Sequence, residues 1–112
     1  MDSDKLFTAE FTPEAIEQYN ELDAENQDRI LTAITTFEYI GTKYPKTNSL
    51  GDGLYELKPK GVRAYFQYDK NRRKIIIIGF ITLKKTQKAP KRHIEQALRN
   101  IQDYKRSLDN EK

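Results

Sequence analysis

The sequence predicts a single α+β domain over residues 1–112, with a mostly antiparallel four-stranded sheet, two N-terminal helices and one C-terminal helix. A length of 112 residues suits one hydrophobic core and is short for two. Apolar residues recur at three- and four-residue spacing near both ends of the chain, as in amphipathic helices. Between these regions, apolar segments alternate with turn-forming residues, which is typical of an antiparallel meander.

The N-terminal half predicts a strand followed by two helices. The strand covers Lys5 to Phe11 and ends at Thr12-Pro13, where threonine caps a helix and proline suits its first turn. Asp23 caps the second helix, Gly41 ends it, and the polar segment 42–53 is predicted to be a loop. The residues expected on the core side of the two helices are Ala15, Ile16, Tyr19, Leu22, Ile30, Leu31, Ile34, Phe37 and Ile40.

Three further strands are predicted at 54–58, 62–68 and 74–83. Pro59 and Gly61 suit a tight turn between the first two, which should therefore pair antiparallel. The run Ile75-Ile76-Ile77-Ile78 is apolar at consecutive positions, so we expect its strand to be central and buried on both faces. Pro90 opens the last helix, whose core-facing residues are Ile94, Ala97, Leu98, Ile101, Tyr104 and Leu108.

Charge is divided unevenly along the chain. Residues 1–57 carry a net charge of −8, residues 58–92 carry +11 and residues 93–112 are neutral. Five cations fall within the nine residues from Lys84 to Arg92, directly after the β-branched run. A small domain polarised in this way attracts polyanions, so nucleic acid or phosphate is the predicted partner rather than an uninvolved lysine surface.

Strand alternation predicts one apolar and one polar, exposed face. Val62 and Phe66 point to the core, whereas Arg63 and Tyr65 point the other way, toward Lys58 on the preceding strand. We expect Lys84, Lys85, Lys88 and Lys91 to converge on the same concave surface. Arg63 would hold the phosphate at which an RNA strand is cut (the scissile phosphate), and Tyr65 would stack on an RNA base. The candidate RNA-binding residues are Lys60, Tyr65, Lys88, Lys91 and Arg92.

The residue types restrict the chemistry. Cysteine is absent, His93 is the only histidine, and the basic region has no cluster of carboxylates, so we expect no cofactor and no metal site. His93 is predicted in the first turn of the last helix, where a lone exposed histidine ordinarily has no catalytic role. RNA cleavage by its own 2′-hydroxyl remains, because it needs only positioning, charge stabilisation and proton transfer. One lysine of the crowded group could transfer the proton.

No apolar run approaches the roughly 20 residues of a membrane span. The first residues, MDSDKLF, are acidic rather than the basic lead of a signal peptide. We therefore expect a cytoplasmic protein with no membrane partner.

Several segments together resemble the RelE/HigB superfamily of toxin–antitoxin toxins, in its phage-associated HigB-like branch. They are Leu54-Tyr55-Glu56-Leu57-Lys58, Arg63 with Tyr65, Gly79-Phe80, the run KKTQKAP from Lys84 to Pro90, and Ile94-Glu95-Gln96-Ala97. The resemblance covers about residues 50–105.

The resemblance implies a compact RelE-like fold with a curved sheet, and a ribosome-dependent endoribonuclease that cleaves mRNA and inhibits translation. By position, the catalytic residues would be Lys58, Arg63, Lys84 and Lys85. A cognate antitoxin, in this branch often a helix-turn-helix protein, would be the partner. The sequence departs from the family pattern at Lys58, where arginine is common, at His93, where an acidic residue is common, and near Tyr104, where no proton-transfer residue is evident.

Two other functions are compatible with the same residues. A ParE-like toxin shares the fold but acts on a protein target such as DNA gyrase, without nuclease activity. A nonspecific RNA-binding domain would use the same cations without arresting growth.

Overall fold

The structure is a computed structural model that describes residues 4–110. Its elements are β1 (Thr8–Phe11), α1 (Pro13–Glu21), α2 (Ala24–Ile40), a 3₁₀ turn (Gly41–Lys43), β2 (Thr47–Gly51), β3 (Leu54–Leu57), β4 (Val62–Tyr68), β5 (Ile75–Leu83) and α3 (Lys91–Asn110). The predicted α+β class, with two N-terminal helices and one C-terminal helix, is confirmed. None of the helices within residues 4–110 is both long and apolar enough to cross a bilayer.

The sheet has five strands, in the order β1-β5-β4-β3-β2. β1 pairs with β5 in parallel, and all other neighbours are antiparallel. β5 has a partner on both sides, as the isoleucine run predicts. The prediction of four strands is wrong by one, because β2 lies in the segment expected to be a loop.

The sequence pattern does not reveal β2, for a physical reason. It is a polar edge strand with only partial burial, so it lacks the alternation that marks a half-buried strand. Its order comes from backbone pairing with β3 across a tight hairpin, in which Gly51, Asp52 and Gly53 all have positive φ.

The predicted ends of α1 and α2 are confirmed. The Thr12 hydroxyl accepts a hydrogen bond from the Ala15 N–H at 3.1 Å, and the Asp23 carboxylate accepts one from Asn26 at 3.3 Å. Gly41 closes α2 with φ of 61°. β1 begins three residues later than predicted, because Leu6 and Phe7 donate their N–H groups to the Glu38 carbonyl of α2 instead of to a strand.

Two apolar clusters lie on opposite faces of the sheet. α1 and α2 cover one face through Ala15, Ile30, Ile34 and Phe37, which pack on Val62, Phe66, Ile76 and Ile78. α3 covers the other face through Ala97 and Ile101, which pack on Leu54, Tyr65 and Ile77. The sequence predicted too many core-facing residues on α1 and α2, since Ile16, Leu31 and Ile40 are exposed.

Gly79 allows α3 to approach the sheet. A β-bulge falls where the β4–β5 register shifts between Tyr65 and Phe66, opposite this glycine. A methyl group at Gly79 would lie 2.5 Å from Ile101 Cγ1 and 2.9 Å from the Ala97 carbonyl oxygen. The Gly79 carbonyl also accepts a hydrogen bond from Asn100 at 2.9 Å. The face that the sequence predicts to be open and polar is therefore closed by a helix along much of its length.

Candidate nucleic-acid interface

The segment between β5 and α3, residues 84–90, carries the candidate site. Its first residue is anchored to the β3–β4 turn, because the Lys84 N–H donates to the Gly61 carbonyl at 3.0 Å. Its middle is anchored from below, because Arg63 Nη2 donates to the carbonyls of Thr86 at 3.2 Å and Gln87 at 3.3 Å. The segment is thus an ordered loop that holds its lysines at the end of the sheet.

A hollow of about 190 Å³ lies between this loop and the start of α3. We call it the basic groove; it is lined by Arg63, Lys85, Thr86, Pro90, Arg92, His93 and the last two residues of β5. A second hollow beside it is lined by Gly61, Lys84, Lys85, Thr86 and Gln87. Because Lys85 and Thr86 line both, the two form a continuous surface. The structure therefore brings together Arg63, Lys84, Lys85 and Arg92, as the sequence predicts.

Arg63 is not the exposed residue that the alternation predicts. Its side chain is 1% exposed, and its Nε lies 2.7 Å from Oε1 of Glu56, which is 2% exposed. Asn48 donates to the other oxygen of Glu56 at 3.0 Å. The exposure prediction is wrong because the loop and α3 cover this part of the polar face. Arg63 meets the basic groove only at its floor, with its Nε against the Glu56 carboxylate and its Nη2 hydrogen-bonded to the loop.

Tyr65 is also buried, with no exposed surface. Its ring stacks on Phe80 with 5.8 Å between centroids, beneath α3. Burial raises the pKa of its hydroxyl, opposed in part by the neighbouring Arg63. The predicted stacking of Tyr65 on an RNA base does not fit this position, because no face of the ring reaches solvent.

The other predicted cations divide into three groups. Lys85, Lys88, Lys91 and Arg92 are exposed, and Lys84 is half-buried. Lys58 is half-buried on the far side of Arg63, with its Nζ 4.0 Å from Glu56 Oε2. Lys60 is exposed but lines a different hollow, beside Asp28 and Arg29 of α2. Lys58 and Lys60 therefore lie outside the lining of the basic groove. Lys88 and Lys91 were predicted to converge on it, but they line neither the groove nor the hollow beside it.

His93 lines the basic groove, whereas the sequence predicts an exposed histidine with no catalytic role. It is half-buried rather than exposed, and its ring centroid is 5.0 Å from that of Phe80 and 6.4 Å from that of Tyr65. Its Nδ1 is buried with no hydrogen-bond partner among residues 4–110. The pKa of His93 is lowered by burial, and further by the positive charges of Arg92 and Arg63. The available signal was its position beside Arg92, three residues after Pro90.

Within the described part of the chain, no three histidine or carboxylate side chains gather in a group that could hold a metal ion. The positive side chains of the basic groove, in contrast, suit an anion such as a phosphodiester.

The sequence matches the family model of phage-derived Gp49-like proteins over residues 17–102. No curated protein sequence matches the chain. Solved structures with similar folds include a mutant of E. coli toxin RelE in the free state, with 13% identity, a TM-score of 0.63, and coverage of 87% of this chain and 98% of that one.

Two others are toxin–antitoxin complexes. A chain of the intact E. coli RelBE complex is 10% identical, with a TM-score of 0.59 and coverage of 71% of this chain and 99% of that one. A chain of the RelBE2 complex from Mycobacterium tuberculosis is 17% identical, with a TM-score of 0.52 and coverage of 73% of this chain and 95% of that one. The family match covers most of the chain, and the fold agrees with the RelE structures. The chain therefore belongs to the phage-derived Gp49-like family, and its fold is similar to that of the RelE structures, in agreement with the resemblance of its sequence motifs.

Proposed function

We propose that this protein is the toxin of a toxin–antitoxin system, and that it inhibits translation in the cytoplasm by cleaving mRNA on the ribosome. The observation that carries the proposal is the basic groove, an ordered cationic hollow at the end of the central strand of a RelE-like fold. Membership of the Gp49-like family and the structural neighbours support a toxin.

The groove is suited to binding RNA through its phosphates. Lys85 and Arg92 line it and are exposed, so they can meet a phosphodiester without first breaking a contact within the protein. Lys84 lines the adjoining hollow, and Lys88 and Lys91 extend the positive charge along the chain on either side of Pro90. Arginine binds a phosphate through two parallel hydrogen bonds, whereas lysine acts as a point charge.

Arg63 has a different role from the one its sequence position implies. Its Nε is engaged by Glu56, and its Nη2 donates to two loop carbonyls. We therefore assign it as a positioning residue that fixes the loop carrying Lys84 and Lys85. Lys58, predicted to be catalytic, shares Glu56 with Arg63 outside the groove, so we assign it to contact with RNA beyond the groove and not to the reaction.

The proposed reaction needs no nucleophile from the protein. The 2′-oxygen of the RNA attacks the adjacent phosphorus, the bond to the 5′-oxygen breaks, and the products are a 2′,3′-cyclic phosphate and a 5′-hydroxyl. Negative charge grows on the phosphoryl oxygens as the attack proceeds. Preorganised cations such as Lys85 stabilise that charge more than they stabilise the ground state, which lowers the barrier.

Induced expression followed by primer extension on translated messages tests this proposal. We expect growth arrest and cuts within reading frames, and cleavage of translated messages by purified protein when ribosomes are present. The Lys84→Gln/Lys85→Gln double variant should lose about 10²-fold or more of the cleavage rate, because it removes charge stabilisation in the transition state. Lys43→Gln/Lys70→Gln, which removes two exposed lysines elsewhere, should remain active. Arrest accompanied by DNA breaks and intact messages would instead identify a ParE-like toxin.

The proposed protein partner is a cognate antitoxin. Two of the similar structures come from toxin–antitoxin complexes. Co-expression with the product of the adjacent gene, in this branch often a helix-turn-helix protein, should abolish the growth arrest. If growth arrest persisted when that protein was present in excess, it would be rejected as the antitoxin.

A further inference from the structure

His93 combines three features that an ordinary surface histidine lacks. It lines the basic groove, its ring packs against Phe80 with 5.0 Å between centroids and 38° between the ring planes, and its Nδ1 is sealed from solvent with no partner among the described residues. Because Nδ1 is closed off, Nε2 is the ring nitrogen left to meet a molecule in the groove. The ring is therefore held at a fixed place beside the cations proposed to bind phosphate.

The groups around His93 come from four elements. Arg63 and Tyr65 lie below it on β4, and Phe80 lies beside it on β5. Lys85 on the loop shares the groove lining, and Arg92 precedes it on α3. The nearest buried carboxylate, Glu56, is paired with Arg63. The surroundings of His93 are thus cationic or apolar, and they disfavour the protonated, positively charged form of its ring.

We propose that His93 is the proton-transfer residue of the cleavage reaction, accepting the proton of the 2′-hydroxyl at Nε2. In this step the neutral ring starts with its hydrogen on Nδ1, so that the lone pair of Nε2 faces the groove. The O–H bond breaks, Nε2 gains the proton, and the freed electron pair of the 2′-oxygen forms the new bond to phosphorus. The 5′-oxygen leaves with the electrons of the broken P–O bond and is protonated by water. This inference rests on the proposed nuclease function and gives that reaction a proton acceptor, a role that the sequence predicted for a lysine of the crowded group.

The charge state required of His93 agrees with its environment. A general base must be neutral before the reaction, and burial together with Arg92 and Arg63 lowers the pKa of His93. Once a phosphodiester occupies the groove, its negative charge favours the imidazolium that proton transfer creates. The same site thus keeps the ring neutral when empty and stabilises its charged form when RNA is bound.

The first test compares His93→Gln with Glu95→Gln, an exposed neighbour on α3. In the ribosome cleavage assay, wild type should lose activity as the pH falls through the lowered pKa of His93. His93→Gln should be slower by about 10²-fold or more at neutral pH, and its remaining activity should lack that acidic decline. Glu95→Gln should match wild type in both rate and pH profile. The assignment would be overturned if His93→Gln kept the wild-type cleavage rate, or if its rate fell at acidic pH as that of wild type does.

The second test measures binding rather than turnover. Because His93 is the only histidine, its imidazole gives a single set of NMR signals that can be titrated directly. We expect a pKa below 6.5 in the free protein, and a higher pKa in the presence of a 2′-deoxy trinucleotide, which carries phosphates but cannot be cleaved. An unchanged titration with the trinucleotide bound would show that His93 does not face the phosphate.

The two tests separate the inference from the function on which it rests. If wild type cuts messages while His93→Gln cuts them equally well, the role of His93 fails and the nuclease function stands. If wild type cuts no RNA at any pH, the nuclease function fails and the role of His93 fails with it.

Discussion

Arg63 and Glu56 form an ion pair in which neither side chain is more than 2% exposed. Removing one partner of such a pair leaves the other charged and buried, which costs about 3–5 kcal/mol. We therefore expect Arg63→Ala to lower the free energy of unfolding by that amount, measured by urea denaturation. Loss of toxicity in this variant would then report loss of the fold as well as of the groove.

A double variant separates charge from packing at the same site. Replacing both partners with apolar residues of similar size, as in Arg63→Met/Glu56→Leu, removes the buried charges together and should recover most of the lost stability. It should still cleave RNA poorly, because methionine cannot donate to the Thr86 and Gln87 carbonyls that hold the loop. If Arg63→Ala had the same free energy of unfolding as wild type, that result would contradict the burial of this pair.

His93 predicts a pH dependence of stability. Its pKa is lower in the folded protein than the usual value of 6.5, so the unfolded chain binds the proton more readily. The neutral ring contributes stability above about pH 6.5, and this contribution is lost as the pH falls toward the folded pKa. Urea midpoints measured between pH 7.5 and 5 should fall more for wild type than for His93→Gln. Equal falls in the two proteins would mean that His93 titrates normally.

Gly79 sets how closely α3 packs on the sheet. In Gly79→Ala the new methyl group would meet Ile101 and the Ala97 backbone, so the helix must move outward. Overpacking of this kind costs about 1–3 kcal/mol, and it should speed amide hydrogen exchange along α3. Gly51→Ala is a suitable comparison, since its methyl group would meet nothing within 4 Å and only its φ of 89° opposes the change. It should lose stability without affecting exchange in α3, and equal exchange in both variants would contradict this.

The elements that the sequence predicted are those with a strong apolar pattern. α3 and β5 follow from their spacing alone, because each must bury one or two continuous apolar faces. β2 could not be predicted, since its order comes from pairing with β3 and not from its own side chains. The same limit applies to the site. Alternation places Arg63 and Tyr65 on one face, but whether that face is open depends on where α3 packs, which is a contact between distant parts of the chain.

At the scale of the whole molecule, the basic region is concentrated by folding. The sequence predicted the cluster of cations after β5, because their spacing along the chain is short. Folding adds His93 to the groove and directs Lys60 toward α2, because the β3–β4 turn packs beside that helix. The positive surface is therefore narrower than the +11 charge of residues 58–92 implies.

This concentration predicts how RNA binding depends on salt. Each phosphate contact of a single strand contributes about −0.7 to the slope of log K against log salt concentration. Lysines that contact phosphate therefore change the slope, whereas lysines that only add net charge do not. The groove variant carries Lys→Gln changes at Lys84, Lys85 and Lys88, and the matched control carries them at Lys43, Lys46 and Lys70, all exposed. In the groove variant, Lys85 and Lys88 are exposed and Lys84 is half-buried. With a 2′-O-methyl RNA decamer, which the proposed reaction cannot cleave, we expect the groove variant to lower the slope magnitude by about 2 and the control to leave it unchanged. Because both variants lose the same net charge, equal slopes would show that the groove is not where RNA phosphates bind.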